Sequence, residues 1–351
     1  MSRIVLHIGL HKTGTTSLQA FCAEHRNALR SAGVCYPDLG TDAQHALLAE
    51  QMPWLERFRY GPSERDAWDF ALAAYRSTGA HTLLLSSEEF SRADPVSVDM
   101  AQLAAQLNDQ LAAAQPTQHA APPRVSLLCT LREQIGLIES LYGQDARWDA
   151  PPSLAEVYDQ ALSSNRVSGI FLDFGALRQH LLSGFAPHQL HFLSYRQASA
   201  QPGGLIGTFL RLLSQPPAPL AAATPSKPVT EPLTETLSAP LANFSARNVS
   251  PSPVALWAAH ELTRPDKASK ALVARAQQLL KRHLRGQRIG LFTPSERERL
   301  SQHFNALNRR FLAQLPSTAP APNLALPSAQ EYGLCRSDLD RAFWVQLARG
   351  G

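Results

Sequence analysis

The sequence predicts an α/β fold in which a mostly parallel sheet is covered by helices on both faces. Short apolar runs alternate with segments of helical period along the first half of the chain, which is the pattern of β–α–β units. The run at residues 81–86 has an unbroken apolar centre, which is typical of a strand buried on both faces. Residues 3–9 form another apolar run, broken only by His7, that leads through a short loop into a helix.

Size and composition indicate a sizeable core and a weak overall charge. The chain has 351 residues, 44% of them hydrophobic, and its length suggests about two domains. A formal net charge of +4 is too small to indicate a nucleic-acid partner. Apolar runs shorter than about 18 residues and the lack of a signal-peptide pattern predict a cytoplasmic protein without a membrane span. The cysteines form no C-x-x-C pair and no zinc spacing: Cys22, Cys35, Cys129 and Cys335.

The first strand and the first helix flank a loop that suits a phosphate. Residues 3–9 predict the strand, residues 10–14 the loop, and helical spacing begins at Thr15. Backbone N–H groups and the positive end of the helix dipole meet at such a helix start, and both favour an anion. Lys12 adds a positive charge, and the neighbouring threonines add hydroxyl donors. The alternative is a chance lysine in a turn before a helix cap.

The order of residues in this loop differs from that of an ATP-binding loop. The Walker A pattern places Lys after the second Gly and before a Ser or Thr that holds magnesium. Lys12 instead stands two positions before Gly14, which argues against an ATPase. The stretch H-K-T-G-T-T-S resembles the 5′-phosphosulfate loop of the sulfotransferases, whose donor is 3′-phosphoadenosine 5′-phosphosulfate (PAPS). The resemblance implies seven donor-binding residues: His11, Lys12, Thr13, Gly14, Thr15, Thr16 and Ser17.

Further elements follow in the order expected for a parallel sheet. Strands are predicted at residues 34–36, 81–86, 125–131 and 189–195, and helices at residues 15–31, 41–59, 64–78, 94–114, 133–148, 154–162 and 174–182. Ligands bind beyond the carboxyl ends of the strands in such sheets. The loop at Lys12, Glu88 after the third strand and Arg132 after the fourth strand all follow such ends.

A second anion-binding pair follows the fourth strand. Arg132 leaves the strand end, and Ser140 lies about two helical turns along the next helix. Both side chains can address one anion, because Arg offers a planar fork and Ser a hydroxyl donor. A surface arginine and a helix serine are the alternative, since this spacing is common by chance. Sulfotransferases use such a pair for the 3′-phosphate of the donor, and the resemblance implies that role here.

The resemblance to bacterial PAPS-dependent sulfotransferases covers about the first 200 residues. It implies a P-loop-type core, PAPS as co-substrate and no magnesium requirement. Gln134 departs from the family, which often has Pro two residues after the arginine. The segment at residues 246–250, which includes Arg247, is expected to close over the donor as a basic loop does in related enzymes. The expected partner is an acceptor that offers a hydroxyl or an amine, with a carbohydrate or glycan favoured.

Composition also predicts the domain organisation. A PAPS-binding core is predicted at residues 1–213, and the Pro- and Ala-rich residues 214–240 predict a linker or mobile loop. Residues 241–316 predict a helical part that completes the core, and residues 317–351 a Pro-rich segment and tail. Three helices are predicted in the helical part, at residues 253–262, 267–284 and 294–315.

The implied reaction needs charge stabilisation and a general base, as phosphoryl transfer does. Lys12 is expected to neutralise charge on the bridging oxygen as it leaves. Two residues compete for the base: His45 after the second strand and Glu88 after the third strand. His45 is narrowly favoured, because its imidazole can titrate near neutral pH and Glu88 also suits a structural role. His7 is expected to be a core histidine.

Two other functions compete with sulfuryl transfer. A P-loop kinase for a nucleotide or small molecule would bind ATP with magnesium, and the missing Lys-Ser/Thr ending of the Walker pattern counts against it. The other alternative is a non-catalytic protein that keeps a phosphoadenosine pocket, and the presence of both Lys12 and Arg132 counts against such a loss of activity.

Overall fold

The computed structural model describes residues 3–39, 67–93, 98–113, 124–148, 150–214, 237–244, 251–284, 287–317, 321–327 and 333–349. His45, Arg247, the predicted helix at residues 41–59 and most of the predicted linker lie outside these residues. In the described part, no helix is both long and apolar enough to cross a membrane.

The secondary structure alternates between strands and helices as predicted. The strands are β1 Arg3–His7, β2 Val34–Cys35, β3 Thr82–Ser86, β4 Arg124–Leu131, β5 Arg166–Val167, β6 Ile170–Phe171, β7 Leu190–Ser194, β8 Ile289–Gly290 and β9 Leu334–Cys335. The helices are α1 Thr15–Glu24, α2 Arg26–Ser31, α3 Ala67–Thr78, α4 Met100–Ala113, α5 Gln134–Trp148, α6 Leu154–Ser164, α7 Phe174–Leu182, α8 Tyr195–Ser199, α9 Gly204–Ser214, α10 Ser238–Asn243, α11 Pro253–Thr263, α12 Lys270–Leu284, α13 Pro294–Ala313 and α14 Arg341–Ala348.

Within the described residues, the main sheet has five strands in the order β2-β3-β1-β4-β7, and every neighbouring pair is parallel. Its centre is β1, with His7 opposite Ser86 of β3 and Leu128 of β4. β1 and β3 are buried at all five positions, which requires cover on both faces. The predicted α/β class with a parallel sheet covered on both faces is therefore confirmed.

One face of the sheet packs against α1 and α9. Val5, Leu84 and Leu128 from the three central strands share a buried cluster with Phe21 of α1 and Phe209 of α9. The helical spacing of the α1 apolar residues produces this contact, since positions three and four apart lie on one helix face. Burial of these side chains fixes α1 against β1, and the loop between the two elements is held at both ends.

Several local predictions differ from the structure. The helix predicted at residues 15–31 is two helices, because the backbone of His25 leaves the helical region at φ −114° and ψ 26°. The sequence interpretation missed α9, α14 and the short antiparallel pair of β5 with β6. α9 begins at Gly204, and the positive φ values of Gly203 and Gly204, 73° and 61°, form the turn that leads into it. The C-terminal helices α11, α12 and α13 confirm the predicted helical extension.

The chain forms two compact units that do not follow chain order. The first contains Met1–Leu131, Leu177–Arg247 and Ala321–Asn323, and it holds the five-stranded sheet. The second contains Arg132–Ala176, Asn248–Pro320 and Leu324–Gly351, in which α11 packs against both α5 and α12. These units divide the chain at other points than the predicted boundaries at residues 213, 240 and 316, which stay a prediction.

Candidate functional site

The loop between β1 and α1 has two residues in the left-handed conformation. Lys12 has a φ of 65° and Gly14 a φ of 80°. Gly14 is the N-cap residue of α1, and it provides no side-chain cap. The first N–H groups of a helix lack partners within the helix, so this start leaves donors for an anion. The predicted strand, loop and helix are thus observed in the predicted order.

Neighbouring strands hold this loop. The N–H groups of Ile8 and Leu10 donate to the carbonyls of Leu128 and Thr130 on β4, at 2.9 and 3.1 Å. On the other side, the N–H of Ser87 donates to the carbonyl of His7 at 3.0 Å. The two strands beside β1 therefore fix the main-chain path that leads into the loop.

Gly14 lies against side chains of α8 and α9. A Cβ atom built at this position would lie 2.8 Å from Cδ2 of Leu205 and 3.4 Å from Cε2 of Tyr195. The first distance is shorter than carbon atoms tolerate. Gly14 is therefore required for two reasons, its left-handed backbone and this close approach.

The predicted donor-binding residues of the loop differ in exposure. Thr13 and Thr15 are buried, Lys12 and Ser17 are half-buried, and Thr16 is exposed. The Thr13 hydroxyl donates to the carbonyl of Leu10 at 2.5 Å, so it braces the loop.

His11 lies between the loop and the turn that follows β3. It is 7% exposed, and its Nε2 lies 3.4 Å from Oε1 of Glu89 without a hydrogen bond to any described residue. The other oxygen of Glu89 accepts a hydrogen bond from Nε of Arg92 at 2.8 Å. Burial lowers the pKa of His11, against the opposing effect of Glu88 and Glu89. This side chain therefore supplies a neutral imidazole next to Lys12.

Glu88 is the first residue of a 3-10 turn, Glu88–Ser91, that follows β3. It is 9% exposed, and its Oε2 accepts a hydrogen bond from Nε2 of Gln19 at 3.1 Å. Among the described residues its Oε1 has no hydrogen-bond partner. Ser87 caps the turn, so Glu88 is not the N-cap residue. Gln19 therefore binds one carboxylate oxygen of Glu88, and the other can accept a hydrogen bond or a proton.

His7 is a core histidine, as expected. Its Nδ1 lies 2.8 Å from Oγ of Ser86, and its ring packs edge-on against Phe209 with centroids 5.1 Å apart. Complete burial lowers its pKa to about 3. The imidazole is therefore neutral near pH 7 and contributes no charge to the loop.

Arg132 and Ser140 belong to the second unit. Arg132 directly follows β4, Ser140 lies within α5, and both side chains are half-buried. Two carboxyl groups accompany them. Burial raises the pKa of Glu133 and of Glu139 to about 7 in each case, and Arg132 opposes both shifts. The carboxyl of Glu139 also accepts the N–H of Leu291 at 2.8 Å.

Sequence reasoning missed the residues that connect these groups. Gln19 joins α1 to β3, and Glu89 joins His11 to Arg92. A signal for Gln19 was present, because a polar residue stands among the apolar positions of the α1 core face. The predicted Lys12 loop and Glu88 lie at the ends of adjacent strands, β1 and β3.

Comparisons with known proteins give a limited result. No known protein-family profile matches the chain, and no curated protein matches it. A solved structure, a sulfotransferase from Alicyclobacillus acidocaldarius, is similar to this chain with a TM-score of 0.43 and 14% sequence identity. The alignment covers 89% of this chain and 95% of that chain.

Proposed function

We propose that this protein is a sulfotransferase that moves a sulfuryl group from PAPS to a hydroxyl or amine of an acceptor. The loop around Lys12 carries the proposal. It offers a lysine, an uncapped helix start and a rigid backbone at the carboxyl edge of a parallel sheet. That combination binds a phosphate-like group without help from a bound metal.

Sulfuryl transfer would proceed in line, with the loop stabilising the charge that leaves. The acceptor oxygen forms a bond to sulfur while the bond from sulfur to the 5′-phosphate oxygen breaks, and the electron pair stays on that oxygen. Lys12 neutralises this charge, and the N–H groups with Thr15 and Thr16 bind the 5′-phosphate. The other residues of the loop that bind the donor in this proposal are His11, Thr13, Gly14 and Ser17.

The far phosphate of the donor is assigned to the second pair. We propose that Arg132 and Ser140 bind the 3′-phosphate, and that Arg247 closes over the nucleotide. The support for Arg132 is chemical, since a guanidinium fork matches a phosphate. It also follows β4, which pairs directly with the loop strand β1.

The proton of the acceptor needs a base, and Glu88 or His45 supplies it in this proposal. The contacts of Glu88 support its role, because one carboxylate oxygen accepts a hydrogen bond and the other has no hydrogen-bond partner among the described residues. His45 is supported by its sequence position alone. A carbohydrate or glycan acceptor follows from the family resemblance.

Ligand binding separates the proposal from a kinase. In a thermal-shift assay, 3′-phosphoadenosine 5′-phosphate (PAP) should stabilise the protein, and ATP with magnesium should stabilise it less. Loss of the PAP effect in Lys12→Ala would link binding to the loop. A larger shift with ATP and magnesium would favour the kinase.

Transfer separates an enzyme from a binding protein. Radiolabelled PAPS incubated with a cell extract should give labelled acceptor with the wild type and almost none with Lys12→Ala. PAP binding without any label transfer would identify a phosphoadenosine-binding protein instead. If the wild type is active, Glu88→Gln and His45→Ala should be compared at saturating PAPS. The variant with the larger fall in kcat identifies the base.

A further inference from the structure

Gln19 is a buried polar side chain for which the reaction outlined above has no role. It lies on α1, is 0% exposed, and has neighbours from two other elements. Its Nε2 lies 3.1 Å from Oε2 of Glu88, 3.2 Å from Oγ of Ser86 and 3.4 Å from the Ser86 carbonyl oxygen. A carboxylate and a carbonyl can only accept, so the amide nitrogen is the end that faces them.

The opposite end of the carboxamide is unsatisfied. Oε1 of Gln19 is buried and has no hydrogen-bond partner among the described residues. A buried acceptor without a partner destabilises a protein, and most buried polar atoms avoid this state. A methionine or leucine would fill the same space without that penalty. The amide thus satisfies Ser86 and Glu88 through its donor end at the cost of its own buried oxygen, which points to a function for the donor end.

Gln19 donates to Glu88 as a neutral group, and neighbouring titratable side chains are shifted toward their uncharged forms. His7, linked to Ser86, is uncharged near pH 7 because burial lowers its pKa to about 3. His11 in the loop and Tyr36 after β2 also interact with Glu88. Burial shifts the pKa of each toward its uncharged form.

We propose that Gln19 is the positioning residue of the general base, and that its amide fixes the orientation of the Glu88 carboxylate. This inference rests on the proposed sulfuryl transfer with Glu88 as base. The amide holds Oε2, so Oε1 is the oxygen that takes the acceptor proton. Gln19 lies four residues after Thr15 on the same helix. In this proposal α1 therefore orients both the loop that binds the 5′-phosphate and the Glu88 base.

The test compares Gln19→Met with Glu88→Gln and with the double variant. Met keeps the length of the side chain and removes the donor. We expect Gln19→Met to lower kcat about 10- to 100-fold, since small misplacement of a reacting group has effects of that order. The KM for PAPS and the PAP-induced thermal shift should remain within about twofold of wild type. In the Glu88→Gln background, Gln19→Met should lower kcat no further.

Gln189→Met is the matched control. Gln189 also lies in the first unit and donates from Nε2 to the carbonyl of Val125 at 3.1 Å, near the opposite end of the sheet from the loop. Its substitution should reduce stability and leave kcat unchanged. A comparable fall in kcat for both glutamine variants would reduce Gln19 to a structural residue and overturn the inference.

The remaining outcomes are distinct. If Glu88→Gln is inactive while Gln19→Met has wild-type kcat, the base stands and the positioning role is wrong. If the kcat of the double variant falls by the product of the two single-variant decreases, Gln19 does not act through Glu88. If Glu88→Gln retains full activity, the base assignment and this inference both fail, although sulfuryl transfer stands. If the wild type transfers no sulfuryl group, the proposed function fails and the inference with it.

Discussion

Gly14→Ala tests the geometry of the proposed phosphate-binding loop directly. The substitution adds one methyl group at a residue with a φ of 80°, where that methyl would lie 2.8 Å from Cδ2 of Leu205. The left-handed backbone costs a non-glycine residue about 1–2 kcal/mol. Overpacking against Leu205 adds about 1–3 kcal/mol. We therefore expect the free energy of unfolding to fall by about 2–5 kcal/mol.

Gly79→Ala separates the two contributions. Gly79 also has a positive φ, 65°, but a Cβ there meets no atom within 4 Å. This variant should lose only the backbone part, about 1–2 kcal/mol. Urea denaturation of both variants gives the difference. Equal losses would refute the close approach of Leu205 as a constraint on the loop.

The same two variants report on the ligand. At a PAP concentration of 100 times its Kd, binding should stabilise the native protein by about 2.7 kcal/mol. Gly79→Ala should keep this increment, since its turn is exposed and joins α3 to β3. Gly14→Ala should lose most of it, because the loop and the helix start must move to admit the methyl. Full PAP stabilisation of Gly14→Ala would refute the assignment of the loop as the donor site.

Other perturbations give separate tests. Lys12→Ala should reduce turnover by at least about 100-fold, as loss of one transition-state contact does, with unchanged far-UV circular dichroism. Arg132→Ala should weaken PAP binding about 10- to 100-fold in calorimetry, the effect of one charge-assisted hydrogen bond; unchanged affinity would reject the 3′-phosphate assignment. Glu133 and Glu139, whose pKa values are raised to about 7, become negatively charged beside Arg132 as the pH rises. The affinity for the anionic PAP should therefore fall between about pH 6.5 and 8, and this fall should be smaller in a Glu133→Gln, Glu139→Gln double variant. The pKa of His7 is about 3 in the folded protein and about 6.5 in the unfolded chain. The free energy of unfolding should therefore be unaffected by His7 above pH 6.5 and should fall by up to about 1.4 kcal/mol per pH unit as the pH drops from 6.5 toward 3. Urea denaturation of His7→Gln should show a smaller acid-dependent loss than the wild type.

The sheet and the loop could be predicted because their signals are local. β1 and β3 each have three consecutive apolar residues at their centre, and burial on both faces requires that pattern. Lys12 and Gly14 lie within three residues of each other, so the short sequence contains the whole turn. Glu88 was found because the end of β3 could be recognised from its apolar run.

The contacts around the site depend on residues far apart in the chain. Gln19 and Glu88 are 69 positions apart, and their hydrogen bond needs β1 and β3 to be neighbours in register. The contact of Gly14 with Leu205 needs α9, which the sequence interpretation missed. Hydrophobic pattern alone gives the face of a helix and not its neighbour. His45 and Arg247 stay predictions, since they lie outside the described residues.

The attachment of the loop to two strands has a consequence for its dynamics. The amides of Leu10 and Ser87 bond to Thr130 and His7, so opening the loop entrance means breaking contacts of the sheet centre. Amide hydrogens at these positions should exchange with deuterium as slowly as those inside β1. If the loop binds the donor as proposed, the nucleotide meets a surface that is already ordered, and little conformational entropy is lost at this end. Under the proposed function, we therefore expect product release to begin at the acceptor or adenosine end.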